Sequence, residues 1–251
     1  MRAMRAGHVA PPESAVGPVT VAFAWAGALV FATSLGWFFF SYFVRFGVAV
    51  SSGSVLRPIG IDLALFTAFA THHSLVARTG VKRCLRRQLS PPVERSLYTW
   101  VASVLFILVC WWWQPVPGVL YSVPYPWAIA GYGVQAAGIL LTVGGAAAVD
   151  ALELAGVRPV LLARDGRAAP HVPLKTAGVY GMVRHPLYFA WALMVFGTPT
   201  MTGTRLAFAA ISTLYLAVAI PWEEHSLVQV FGPDYEKYRR SVRWRMIPFL
   251  Y

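Results

Sequence analysis

Gly178-Val179-Tyr180-Gly181-Met182-Val183-Arg184-His185-Pro186-Leu187-Tyr188 sets an arginine, a histidine and two tyrosines at the mouth of a long apolar run. Further on, Trp222-Glu223-Glu224-His225 closes that run with two acids. A bilayer solvates such charges poorly, so polar groups at both ends of one hydrophobic hairpin point to a ligand site more than to a decorated surface. The stretch therefore reads as the polar mouth of a membrane protein.

Composition agrees. Of 251 residues 57% are hydrophobic and 12% charged, with a mean hydropathy of +0.58, whereas soluble domains carry roughly 25% charge. Apolar runs at Val19 to Val44, Ile59 to Ala77, Ser96 to Trp113 and Trp127 to Val149 each approach the roughly 20 residues that cross a hydrocarbon core. The first run is too long for a secretory signal and has no small-residue cleavage site behind it. A last pair spans Pro186 to Trp222, broken at Gly197-Thr198-Pro199-Thr200-Met201-Thr202-Gly203-Thr204, which predicts two short helices joined by a turn near the far face. The expected fold is an all-α, multi-pass transmembrane helical bundle of five to six spans with amphipathic cytoplasmic C-terminal helices. Residues 1–18 form a loose tail, 19–251 one integral membrane domain, and 176–251 its ligand-binding part.

Basic residues are retained on the cytoplasmic side of span ends. Arg2 and Arg5, six from Arg78 to Arg95, five in 150–185 and five from Lys237 onward fall on one side; Arg45, Arg57 and Arg205 fall on the other. Both termini are thus expected in the cytoplasm, as in a bacterial inner-membrane protein. The net charge of +11 reads as orientation and contact with anionic lipid, not as nucleic-acid binding, and no protein partner is indicated. Cys84 and Cys110 lie in different environments and do not suggest a disulfide. No spacing suits a metal site and no glycine-rich phosphate loop follows a strand. His72 and His73 are adjacent on a predicted helix, about 100° apart, which suits a haem poorly.

The chemistry then falls to the C-terminal third. Pro186 suits the first position of a helix, whose orphan amides and dipole, beside Arg184 and His185, favour a carboxylate or phosphate. Glu223 and Glu224 on the same side attract a cation. Tyr180, Tyr188, Trp222 and Tyr235 offer faces for stacking or for a positive sulfur. A ligand with a carboxylate, an ammonium and a sulfonium fits: S-adenosylmethionine. Leu227, Phe231, Tyr235, Tyr238 and Val242 recur at helical spacing, and Gly232-Pro233-Asp234 opens a second helix that folds back as a lid.

The combination Gly178-Val179-Tyr180, Arg184-His185-Pro186 with Tyr188, Glu223-Glu224 with Leu227, Phe231-Gly232 with Tyr235, Tyr238 and Val242 resembles the isoprenylcysteine carboxyl methyltransferase family of membrane methyltransferases over about Thr176 to Pro248. His73-Ser74-Leu75-Val76-Ala77-Arg78, Pro91-Pro92-Val93-Glu94-Arg95-Ser96-Leu97-Tyr98, Trp113-Gln114-Pro115 and Thr198-Pro199-Thr200-Met201-Thr202 resemble its bacterial methanethiol S-methyltransferase branch. The resemblance implies C-terminal helices enclosing S-adenosylmethionine on the cytoplasmic side and an apolar opening for the acceptor. It also implies a small volatile thiol as acceptor and dimethyl sulfide as product. Ala190 replaces a glycine common in relatives, and Ile220-Pro221-Trp222 replaces an arginine-containing stretch of prenylcysteine enzymes.

A thiol attacks best as thiolate, so Glu224 or His73 is expected to take its proton. Arg184 and His185 are expected to hold the cofactor's amino-acid end, with Tyr180 and Tyr188 as walls and Glu223 and Tyr235 completing the site. The thiol arrives from cytoplasm or lipid. The alternatives are a prenylcysteine carboxylate or lipid acceptor, or an NADPH-dependent sterol-type reductase. The last is suggested by Arg245-Met246-Ile247-Pro248-Phe249-Leu250-Tyr251, though the acids would repel its phosphates.

Overall fold

Helices dominate because, inside hydrocarbon, only a helix satisfies its own backbone. The computed structural model describes residues 16–76, 79–168, 170 and 173–251; most of the expected tail, residues 1–15, and Ala77 and Arg78 lie outside the described residues. The order is α1 (Pro18–Phe40), a π-helical turn (Ser41–Arg45), α2 (Leu56–Val76), α3 (Thr79–Leu85), α4 (Pro91–Trp112), β1 (Val119–Ser122), α5 (Ala128–Val149), α6 (Ala151–Leu154) and α7 (Arg158–Arg164). A 3-10 turn (Gly178–Gly181), α8 (Pro186–Phe196), β2 (Thr200–Thr202), α9 (Gly203–Phe231) and α10 (Pro233–Ser241) complete it. Among the described residues five helices are long and apolar enough to cross a membrane. The chain is a multi-pass integral membrane protein. Proline occupies the first turn of α1, α4, α8 and α10, where its missing N–H costs nothing.

Close backbone approach holds the bundle together. On α5, Gly131, Gly138 and Gly145 recur every seven residues along the face that meets α8. A Cβ at Gly138 would lie 2.6 Å from the Ala190 carbonyl and 2.7 Å from the Met194 nitrogen. Small residues let membrane helices pack this tightly. Ala190 is fully buried against that notch, so the small partner it needs sits on α5. Gly138→Leu is accordingly expected to cost about 1–3 kcal/mol or more by overpacking. A lowered melting temperature in detergent checks it, and an unchanged one contradicts the packing. Opposite, the Trp100 indole fills the notch at Gly27 and donates to the Phe23 carbonyl at 2.9 Å. Phe38, Tyr42, Phe66, Trp113, Trp191 and Phe208 form the aromatic centre.

The last hairpin differs from expectation. α8 has only 11 residues, about 16 Å of rise, while α9 has 29. They are joined not by a tight turn but by an extended segment, Thr200–Thr202, paired antiparallel with β1. Extended backbone near membrane depth must find partners within the protein. Arg205 supplies them, donating to Thr200 O at 2.8 Å and Thr198 Oγ1 at 3.1 Å, and to Phe43 O at 2.9 Å and Tyr42 O at 3.1 Å in the π-helical turn. Glu223 and Glu224 do not cap α9 but lie inside it. Pro221 breaks one bond only, the one its absent N–H would make to the Ala217 carbonyl. The Tyr251 hydroxyl takes that carbonyl at 3.2 Å, and the helix runs on.

Candidate functional site

The chain around the Arg-His pair is held from two sides. Pro186 starts α8, and the preceding residues run beside the segment after α10. The Arg184 N–H donates to Trp244 O at 2.9 Å and the His185 N–H to Arg245 O at 2.8 Å. Side chains of four elements and the segments beside them then converge on a cavity of about 240 Å³ lined by Tyr180, Arg184, His185, Tyr188, Glu223 and Tyr235, together with Leu174, Lys175, Phe231 and Tyr238. The sequence thus named six of its lining residues. Trp222 does not line it and is 57% exposed. Glu224 sits just behind it, 3% exposed.

Arg184 and Glu224 form the buried centre. Arg184 Nε donates to Glu224 Oε1 at 2.6 Å, and its Nη1 to Val242 O at 2.7 Å and Arg243 O at 3.0 Å. Both side chains are about 95% buried, at 5% and 4% exposure. The guanidinium expected to dock a ligand anion therefore spends three bonds on the protein. A buried pair of this kind costs more in desolvation than it returns unless further hydrogen bonds share its charge, which the two carbonyls on Nη1 provide. His185 lies between the acids: Nδ1 is 3.6 Å from Glu223 Oε2, and Nε2 is 3.5 Å from Glu224 Oε1 and makes no hydrogen bond. Its ring stacks on Tyr188, centroids 5.3 Å apart, and Tyr188 donates to Glu223 Oε2 at 2.7 Å. Glu223, at 43% side-chain exposure, is the acid that meets solvent and cavity.

α10 forms the opposing wall. Tyr238 donates to Tyr180 O at 2.7 Å. The Tyr235 hydroxyl is buried and has no hydrogen-bond partner. Burial, with the Glu224 charge adding and Arg184 opposing, raises the Tyr235 phenol well above its usual range, so it is neutral and free to donate. Burial, partly offset by Arg184, pushes Tyr238 from 10.0 to about 12. A phenol whose folded pKa is raised prefers the neutral form in the fold. Its stabilisation is whole below pH 10 and is lost as pH rises through about 12. Melting in detergent between pH 9 and 11 should therefore fall less steeply in Tyr238→Phe than in the wild type; equal slopes would contradict the assignment.

His73 is not brought to this cavity. It lines a second one, of about 340 Å³, with Phe31, Phe69, Arg95, Tyr98 and Phe106, and accepts from or donates to the Tyr98 hydroxyl at 2.8 Å. The two cavities share no lining residue. Tyr215 of α9 donates to the Ala70 carbonyl on α2 at 3.4 Å. Tyr215 also bonds Ser74 Oγ at 2.8 Å. Sequence reasoning missed Lys175, Arg245 and Tyr215. Only Arg245, in the quoted ending, stood in a stretch already singled out.

No family model and no solved structure matches the chain. Curated proteins do. Methanethiol S-methyltransferase of Crocosphaera subtropica is 35% identical over 201 residues, which are 80% of this chain and 78% of that protein. Methanethiol S-methyltransferase of Mycobacterium tuberculosis is 34% identical over 194 residues, 75% and 80% of the two chains. Nurim of Bos taurus is 30% identical over 189 residues, 71% of each. The chain belongs to the isoprenylcysteine carboxyl methyltransferase-like family of membrane methyltransferases, in the branch of the bacterial methanethiol S-methyltransferases. As a member it is a membrane methyltransferase.

Proposed function

We propose that the protein transfers a methyl group from S-adenosylmethionine to a small thiol, methanethiol, giving dimethyl sulfide. The observation that carries the reading is the single cavity that joins a solvent-facing carboxylate, aromatic walls and the unpartnered, buried Tyr235 hydroxyl. The names of the relatives support the choice of acceptor.

The residues present fit the cofactor in kind. Glu223 and Tyr188 would receive its ammonium, Tyr180 and Tyr235 would meet its base or sulfonium, and Tyr235 would donate the bond it lacks in the protein. The volume lies just under the roughly 300–1,000 Å³ usual for ligand sites, so binding widens the cavity. Arg184 serves through Glu224 and the 242–243 carbonyls, keeping the wall preformed. When bound, the cofactor supplies an electrophilic methyl on a positive sulfur. Glu223 at this mouth disfavours the phosphates of NADPH.

The chain's own part in the reaction is to exclude water, align the thiol and hold its proton. Of the two acids and bases expected there, Glu224 is committed to Arg184, which makes it a positioning group. His73, oriented by the Tyr98 hydroxyl in its own cavity, would take the proton from the arriving thiol before the thiolate reaches the cofactor cavity. There the thiolate lone pair would form the new S–C bond as the methyl's bond to the cofactor sulfur breaks, its electron pair staying on that sulfur. The apolar cavity around His73 suits a thiol arriving from lipid. With the pocket on the cytoplasmic side, both termini lie in the cytoplasm of a bacterial inner membrane.

Removal of a general base costs about 10²–10⁴ in rate. His73→Ala should lose at least 100-fold in thiol turnover at pH 7 while keeping its S-adenosylmethionine affinity, measured by equilibrium binding in detergent. Turnover equal to the wild type would remove His73 from the reaction.

A further inference from the structure

Pro221 stands two residues before Glu223 on α9, and the carbonyl it frees is met from outside the helix. The Tyr251 hydroxyl donates to Ala217 O at 3.2 Å and accepts from Arg245 Nη1 at 2.9 Å. The Arg245 guanidinium lies over the Tyr251 ring, 5.2 Å from its centroid, and its Nε is 3.8 Å from Glu224 Oε2. The loop that carries both is itself fixed, because the Tyr251 main-chain oxygen accepts from the N–H groups of Arg245, Met246 and Ile247 at 2.9, 2.8 and 3.1 Å. A continuous chain of contacts therefore runs from the weak point of α9 to the far oxygen of Glu224, whose near oxygen Arg184 holds at 2.6 Å.

We propose that Tyr251 and Arg245 are positioning residues for the Glu223–Glu224 turn, with the Tyr251 hydroxyl tying the proline break of α9 to the second cation on Glu224. Pro221 denies the helix the bond that would otherwise fix this turn, and the fold restores it from a segment that also touches the acid. A proline placed there lets the orientation of the acids be set by tertiary contact instead of by the helix alone. The link to cofactor affinity rests on reading the cavity as the S-adenosylmethionine site; the link to the turn does not.

Two variants of the full chain in detergent separate the parts. Tyr251→Phe keeps the ring under Arg245 and removes the hydroxyl. The double variant Tyr251→Phe with Pro221→Ala lets the new N–H reach Ala217 O within the helix. In the cofactor-free protein, amide hydrogen exchange over 217–226 should rise in Tyr251→Phe and return to wild type in the double variant. The dissociation constant for S-adenosylmethionine should rise about three- to tenfold in Tyr251→Phe, the effect of one lost hydrogen bond. It should stay raised in the double variant, where Arg245 is still untied. Wild-type exchange in Tyr251→Phe would overturn the tether, and recovery of affinity in the double variant would overturn the part given to Arg245. A wild-type protein that binds no S-adenosylmethionine would remove the cofactor reading and leave the exchange arm to decide the tether.

Discussion

Arg184→Ala is expected to lose S-adenosylmethionine binding at concentrations that saturate the wild type, and to cost about 3–5 kcal/mol of stability. The cost follows from what remains. Glu224, 3% exposed, would keep a buried charge with its bonded partner gone, and Val242 O and Arg243 O would lose their donor. The wall formed by the segment after α10 would keep its main-chain bonds and the Arg245 and Tyr251 contacts to α9 but lose both Arg184 bonds to its carbonyls. Arg184→Lys restores the charge but not the fork that reaches a carboxylate and two carbonyls together, so it should recover stability in part and binding little. Titration with S-adenosylmethionine and melting in detergent read the two effects. Wild-type affinity in Arg184→Ala would contradict the site.

Arg205→Met should yield no folded, monodisperse protein on size exclusion in detergent. Arg205 is 9% exposed and near no carboxylate among its bonded partners; three carbonyls and one hydroxyl oxygen share its charge. Methionine fills the space and takes the Arg205 donor from all four acceptors, of which Thr200 O keeps the Thr198 hydroxyl at 3.1 Å, where water does not reach. At about 1–3 kcal/mol for each unsatisfied group, the loss is comparable to the whole stability of a typical domain. Gly47 makes the room for this guanidinium, since a Cβ there would come within 2.6 Å of Nη2. Arg205→Lys should fold with a reduced melting temperature. A melting temperature for Arg205→Met equal to the wild type would show that the extended segment holds by β pairing alone.

Much of this architecture is legible in the sequence because lipid imposes a simple rule: apolar runs of a fixed length become helices. Pro186 and Pro233 each marked a helix start, and Tyr180, Arg184, His185, Tyr188, Glu223 and Tyr235 do meet at one cavity. What the sequence hid was long-range compensation. The stretch Thr200–Thr202 reads as a turn because nothing near it announces a partner at Val119–Ser122. The last apolar run reads as ending at Trp222, and nothing near Pro221 announces that the carbonyl it frees is met by the hydroxyl of Tyr251, thirty positions away in sequence. Arg184 beside a helix start reads as an anion site; that Glu224 and two carbonyls already occupy it depends on how α9 and the segment after α10 cross, which no local pattern encodes. The glycines at 131, 138 and 145 stood in plain view at seven-residue spacing, and only their contacts with α8 give them meaning.

Headspace gas chromatography of the detergent-purified protein, incubated with S-adenosylmethionine and methanethiol, tests the central claim most directly. The account predicts dimethyl sulfide from the wild type and none above background from Arg184→Ala. S-adenosylmethionine binding without dimethyl sulfide would contradict the acceptor, and neither binding nor product would contradict the reading of the cavity itself.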